Sequence, residues 1–482
     1  MIKTAILLPM LTGLLVLLIR PPRRLRQIIL EAAALLTSLL VFLRLTLGGG
    51  EERFFALTPA HALVLRLDGV GGLFAGLVAF LWPLAMLYAF EYMEHEHGQN
   101  RFLSIYLATY GVVLGIASAG TLLTLYVFYE FLTLFTLPLV MHGTSLEAQV
   151  AGRRYMLYSL TGAAVAFMGV VLVTAAGDGG AFVMGGVLAD YAKAHPVLVQ
   201  LGYLCCFFGF GVKAAIFPLH AWLPMASVAP TPVTALLHAV AVVKAGVFAV
   251  IRVTYFSFGA QLLRGTNAQT VALVFAAATI AFGSTMAVRE HHFKRRLAYS
   301  TIANLSYILL SCALMSTQGL STALLHMLFH ALMKITLFYC AGAVLVMTGR
   351  TMIESLRGLG RRMPFVSAVY ALAALALAGM PGLPAFTSKW MIGTAALESA
   401  QPAALLGLGA LLYSAVLTML YVLAPAFYLF FRQEEGAAAQ RQLDPGWRMK
   451  LTLGVLSVTL VLAGLFSNRI VTGLAALSAG VL

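Results

Sequence analysis

The chain has 482 residues, of which 61% are hydrophobic and 10% charged, and its mean hydropathy is +0.93. So little charge cannot furnish the polar skin of a soluble domain, and most of the surface must face lipid. The 31 Lys and Arg exceed the 17 Asp and Glu by a formal charge of +14. In a soluble protein that would point to nucleic acid, but here the basic residues fall mainly between apolar stretches and read as topology signals.

Crossing roughly 30 Å of hydrocarbon takes about 20 helical residues, and about fourteen apolar segments qualify. In chain order they run over 3–19, 28–47, 62–90, 102–119, 121–141, 155–176, 197–217, 233–257, 269–288, 298–316, 321–347, 364–395, 402–431 and 450–479. No soluble domain fits between any two of them, so 1–482 reads as one transmembrane domain of an all-α polytopic membrane protein. In the first segment Arg20, Arg23, Arg24 and Arg26 follow the apolar run rather than precede it, which fits a retained span and not a signal peptide. Connections after odd-numbered segments hold nearly all the remaining loop basic residues: Arg101; Arg153 and Arg154; Arg289, Lys294, Arg295 and Arg296; Arg350, Arg357, Arg361 and Arg362; Arg432, Arg441, Arg448 and Lys450. The positive-inside rule then places those connections in the cytoplasm and both termini outside, as expected in a bacterial or archaeal cytoplasmic membrane. Cys205, Cys206, Cys312 and Cys340 lie inside apolar segments without C-x-x-C spacing, so neither a redox centre, a cofactor nor a metal is expected.

Two segments are interrupted by proline. The seventh reads Lys213-Ala-Ala-Ile-Phe-Pro218-Leu-His220-Ala-Trp222-Leu-Pro224, and the twelfth Met380-Pro381-Gly-Leu-Pro384-Ala-Phe386-Thr-Ser-Lys389. Proline removes a backbone donor and clashes with the preceding turn, so both should be broken or kinked, with the freed carbonyls facing protein or a water-filled cavity. Paired interrupted spans in two halves of a chain point to an inverted repeat with an ion path at its interface.

An ionisable group at mid-span costs several kcal/mol by insertion scales and needs a reason. Glu130 lies near the centre of the fifth segment, Lys213 before the break in the seventh, Lys244 mid-way along the eighth, and Lys389 after the break in the twelfth. His326, His330 and Lys334 in the eleventh stand at i, i+4 and i+8, on one helical stripe. Burial eases an ammonium's loss of a proton and a nearby carboxylate opposes it, so moving the carboxylate switches a lysine between holding and releasing. Glu130 with Lys213 is the candidate pair, Lys244 the next acceptor, His238 and the stripe the link, and Lys389 the exit. Plainer readings stand beside these. A single lysine fits packing or snorkelling, and His238, His326 and His330 fit structural hydrogen bonds to a neighbouring helix. His220 and Trp222 read as structural. Arg44, Arg66 and Arg252 read as snorkelling near span ends, and Asp68 as the partner of Arg66 or an interfacial residue.

The stretch Lys213-x4-Pro218-Leu-His220-x-Trp222-Leu-Pro224, followed by Ala229-Pro-Thr-Pro-Val-x-Ala-Leu-Leu-His238 and Val242-Val-Lys244-Ala-Gly-Val, resembles the antiporter-like subunits shared by respiratory complex I, Mrp-type cation/proton antiporters and membrane-bound energy-converting hydrogenases. Tyr299 to Asn304 and His330-Ala-Leu-Met-Lys334 support it, and lysines in both the eighth and twelfth segments are most similar to the D-type subunits of Mrp antiporters. The resemblance implies about fourteen helices with discontinuous helices 7 and 12, inverted five-helix repeats over spans 4–8 (about 102–257) and 9–13 (about 269–431), and a polar axis at mid-membrane. It implies that Glu130 and Lys213 are the family's interacting pair, Lys244 its central lysine and Lys389 its terminal group. The chain departs from the family pattern at Pro381-Gly382 and Ala385-Phe386, where the usual forms are Pro-Pro and Gly-Phe.

The expected function is a proton-translocating subunit, with Na+/H+ exchange as a variant. Its partners would be other antiporter-like and small membrane subunits, with hydrogenase or other redox subunits where the complex is a proton-pumping oxidoreductase. The competing reading is a non-transporting membrane scaffold within such a complex.

Overall fold

A computed structural model describes residues 1–56, 58, 62–143, 145–431 and 443–479. Arg432 and Arg441, counted among the loop charges, lie outside the described residues.

The apolar runs fold as helices. In the first third these are α1 (Ile2–Ile19), α2 (Arg23–Leu47), α3 (Gly69–Tyr92), α4 (Gln99–Ala117), α5 (Leu122–Val140) and α6 (Leu146–Ala176). The middle holds α7 (Ala189–Ala194), α8 (Pro196–Gly211), α9 (Trp222–Met225), α10 (Thr231–Ala239), α11 (Val242–Arg252), α12 (Ala260–Leu263), α13 (Asn267–Arg289) and α14 (Phe293–Ala313). The last third holds α15 (Thr317–Thr348), α16 (Leu359–Arg362), α17 (Pro364–Ala378), α18 (Pro384–Leu397), α19 (Pro402–Phe431), α20 (Trp447–Leu465) and α21 (Ser467–Ser478). Among the described residues eleven helices are long and apolar enough to cross a membrane, counting Thr231–Phe258 as one. Their starts follow from local chemistry. The side chains of Asp68, Thr121, Ser145, Thr266 and Ser316 accept from amides in the first turns of α3, α5, α6, α13 and α15. Pro196, Pro364 and Pro384 occupy first-turn positions, where the missing N–H costs nothing.

Four boundaries differ from expectation. The sixth helix starts at Leu146 rather than 155, so Arg153 and Arg154 lie within α6 and not in the connection before it. The third apolar segment does not start a helix at 62: Ala62–Leu65 (β2) pairs antiparallel with Glu52–Ala56 (β1), Glu52 opposite Leu65 and Ala56 opposite Ala62. This hairpin is pinned to the bundle by Val64 N–H to Thr124 Oγ1 (2.9 Å) and Gly120 N–H to Val64 O (2.8 Å). The eighth segment is not one helix, because α10 ends at Ala239 and α11 starts at Val242, and a wider-turned stretch follows over Val253–Phe258. The fourteenth divides at Phe466 into α20 and α21.

Between α8 and α9 the chain leaves helical geometry, and its freed acceptors are met by side chains: the Trp222 indole donates to Val212 O (2.8 Å) and the Tyr129 hydroxyl to Phe210 O (3.1 Å). Without such partners a carbonyl away from water would cost several kcal/mol. The thirteen residues from Thr231 to Val243 and all of α11 are buried, making α10 and α11 the centre of the bundle, while α1, α2, α6, α19 and α20 present wide apolar faces outward.

Candidate functional site

The centre of the bundle holds charge. Lys213, Lys244, Lys334, His238, His326 and His330 are fully buried, and Lys389 is 9% exposed. Glu130, on α5, is half-buried.

Lys213 follows the C-terminus of α8, and its ammonium donates to Tyr129 O at 2.5 Å while lying 3.4 Å from the centre of the Tyr129 ring. Glu130 is the next residue along. The two charges act on each other electrostatically but form no ion pair within 4 Å, and Glu130 Oε1 is buried without a hydrogen-bond partner. Lys244 belongs to the first turn of α11, and Gly246, half a turn on, lets α11 lie against the Lys213 turn: a Cβ there would stand 2.5 Å from Ala214 N and 2.8 Å from Lys213 C.

Lys244 Nζ meets His330 Nδ1 of α15 at 2.5 Å. The His330 ring stacks 5.9 Å from that of His326, whose Nδ1 meets Ser388 Oγ at 3.0 Å. Ser388 adjoins Lys389, whose ammonium donates to the last carbonyls of α17, Leu377 O (2.8 Å) and Ala378 O (3.1 Å). That placement suits a cation, since the partial negative end of a helix faces it. The line Lys244, His330, His326, Ser388, Lys389 therefore runs from α11 through α15 to α18. Spacing alone accounts for the stripe on α15. Ser388 was not singled out by the sequence, although its position beside Lys389 is the signal that would have found it.

Lys334, the third residue of the stripe, turns to α14 and α19. Its ammonium donates to Ser300 Oγ (2.6 Å) and Leu297 O (3.1 Å), and Ser300 Oγ donates on to the Tyr421 hydroxyl (2.9 Å). His238 stands apart from these chains. Its ring stacks on Phe338 at 4.6 Å and both nitrogens lack hydrogen-bond partners, with Lys334, Lys294 and Lys244 as its electrostatic neighbours. The Nε2 atoms of His326 and His330 are also unpartnered. A buried polar atom left unsatisfied costs about 1–3 kcal/mol, so packing stability does not explain this cluster.

Arg252 and Asp68 differ from expectation. Arg252 does not snorkel: it is fully buried, holds Asp68 through two bonds of 2.6 and 2.5 Å, and sits among the rings of Phe182, Phe248 and Phe256. Arg66 pairs instead with Glu51 at 3.0 Å. Among the described residues no group of three or more His, Cys, Asp or Glu is placed to hold a metal ion.

Residues 119–418 match the family described as "NADH:quinone oxidoreductase/Mrp antiporter, TM", and residues 61–103 that described as "NADH-Ubiquinone oxidoreductase (complex I), chain 5 N-terminus". NADH-quinone oxidoreductase subunit N of Desulforudis audaxviator is 34% identical over 93% of this chain and 91% of its own. A probable K(+)/H(+) antiporter subunit of Rhizobium meliloti is 34% identical over 70% of this chain, which spans 33% of that longer protein. Among solved structures, a chain of the archaeal membrane-bound sulfane sulfur reductase superposes with a TM-score of 0.84 at 25% identity, covering 100% of this chain and 99% of that one. The chain is an integral membrane protein and belongs to the NADH:quinone oxidoreductase/Mrp antiporter membrane-subunit family.

Proposed function

We propose that this chain moves protons across the membrane within a multisubunit complex, passing them along Glu130, Lys213, Lys244, His330, His326 and Lys389, with His238 and Lys334 as side links. The observation that carries the reading is the Lys244 to His330 contact of 2.5 Å between two fully buried residues, neither of which has, among the described residues, an ion-paired carboxylate. A lysine and an imidazole sharing one hydrogen bond can exchange a proton without either moving far.

The same reading takes three further segments as spans besides the eleven long apolar helices: Pro196–Met225, Phe293–Ala313 and Pro364–Leu397. That makes fourteen, with helices 7 and 12 discontinuous, inverted repeats over about 102–257 and 269–431, and both termini outside a bacterial or archaeal cytoplasmic membrane. Partner subunits supply the driving force, whether from redox chemistry or from an ion gradient.

The test is coupled ion transport by the assembled complex carrying Lys213→Ala or Glu130→Ala. Transport should fall by about a hundredfold, within the range for loss of a proton-transfer group. Unchanged transport in a complex that assembles normally would favour the scaffold reading.

A further inference from the structure

Lys294 belongs by sequence to a cluster of loop charges, with Arg289, Arg295 and Arg296 as neighbours. Arg289 and Arg295 are exposed, and Arg296, though as buried as Lys294, has its guanidinium met by the carbonyls of Glu290, Tyr421 and Val288; the Lys294 ammonium is less well provided for. Lys294 lies in the first turn of α14 and is 7% exposed. Its ammonium has one hydrogen bond, to Ala229 O at 3.0 Å, just before α10, and no ion pair among the described residues. A lysine free to snorkel to the interface would not stay buried on a single hydrogen bond, since reaching water costs it little. The charge that acts on Lys294 is that of Glu96, an exposed residue of the connection between α3 and α4. On the inner side lies His238 at the far end of α10, with both ring nitrogens unpartnered and Lys294, Lys334 and Lys244 as its electrostatic neighbours.

We infer that Lys294 is the proton-loading group at the basic end of the bundle, taking protons from water at Glu96 and delivering them to His238. This rests on the relay reading and adds the step that fills it. In that step an N–H bond of the Lys294 ammonium breaks and an N–H bond forms on a free ring nitrogen of His238. Lysine is left neutral and is recharged by a proton from water held near the Glu96 carboxylate. The length of α10 separates the two ends by about 13 Å, which is longer than one hydrogen bond, so intervening water together with a swing of the flexible lysine stem carries the proton. His238 then faces both Lys334 and Lys244, which explains why a fully buried imidazole is left without partners.

The experiment uses the whole complex in sealed vesicles and compares Lys294→Arg with Lys244→Ala. Arginine keeps the charge and can keep the bond to Ala229 O, but does not release its proton. Lys294→Arg should assemble normally yet transport protons about a hundredfold more slowly. Glu96→Gln, at an exposed site where assembly is not at stake, should slow transport in the same direction. Wild-type rates for both variants, with transport lost in Lys244→Ala, would overturn the loading role and leave the relay standing. Wild-type rates in Lys244→Ala as well would overturn both.

Discussion

At the scale of single residues, what distinguishes the buried charges is which of them have partners. Arg252 is held by Asp68 and three phenyl rings, so it is a clamp between α11 and the start of α3. Breaking a buried pair costs about 3–5 kcal/mol, because the remaining charge is left uncompensated. Asp68→Asn should therefore lower the thermal stability of the purified complex without abolishing transport. Burial pushes the Asp68 carboxyl up, but the Arg252 guanidinium and the Gly71 amide outweigh it and hold the carboxyl below the usual range. Its contribution is whole above about pH 4, the unfolded value, and fades as pH falls through the lower folded value. Thermal melts of wild type and Asp68→Asn should converge below that pH, and a constant gap would contradict the assignment. None of this pairing was legible in the sequence, where Arg66 is Asp68's near neighbour and Arg252 is 184 residues away. By contrast, the spacing of His326, His330 and Lys334 conveyed their shared stripe directly. Lys294 was hidden for a different reason: a lysine amid arginines looks solvated until α10 is folded over it.

At the scale of elements, apolar runs translate into helices wherever nothing local interferes, which is why most boundaries agree to within a few residues. The exceptions have physical causes. Ala62–Leu65 is as apolar as the helix after it, so hydropathy cannot separate the strand from the span. The break between α10 and α11 falls in Ala-Val-Ala-Val, with no proline or glycine to mark it. It is set by packing, with His238 closing one helix and Lys244 opening the next. Gly246 shows how tightly that packing positions Lys213. An alanine there must displace backbone, so Gly246→Ala should reduce proton transport about as much as Lys213→Ala. Gly409→Ala, whose Cβ meets nothing within 4 Å, should leave transport unchanged. Equal rates for the two glycine variants would show that the α11 contact does not position the lysine.

At the scale of the whole molecule, composition alone established that lipid is the main solvent, and the family motif on α8 to α11 established what the chain is related to. What hydropathy could not convey is which apolar faces meet lipid and which meet another protein, because both demand the same side chains. Nor could it convey that one line of charge crosses from α11 to α18 through paired imidazoles. Lys244 is the hub of that line. The most direct measurement is proton translocation into sealed vesicles holding the assembled complex with Lys244→Ala, with assembly checked on the same preparation. With the relay running through Lys244, translocation should fall by about a hundredfold with the complex intact. Translocation at the wild-type rate would contradict that relay.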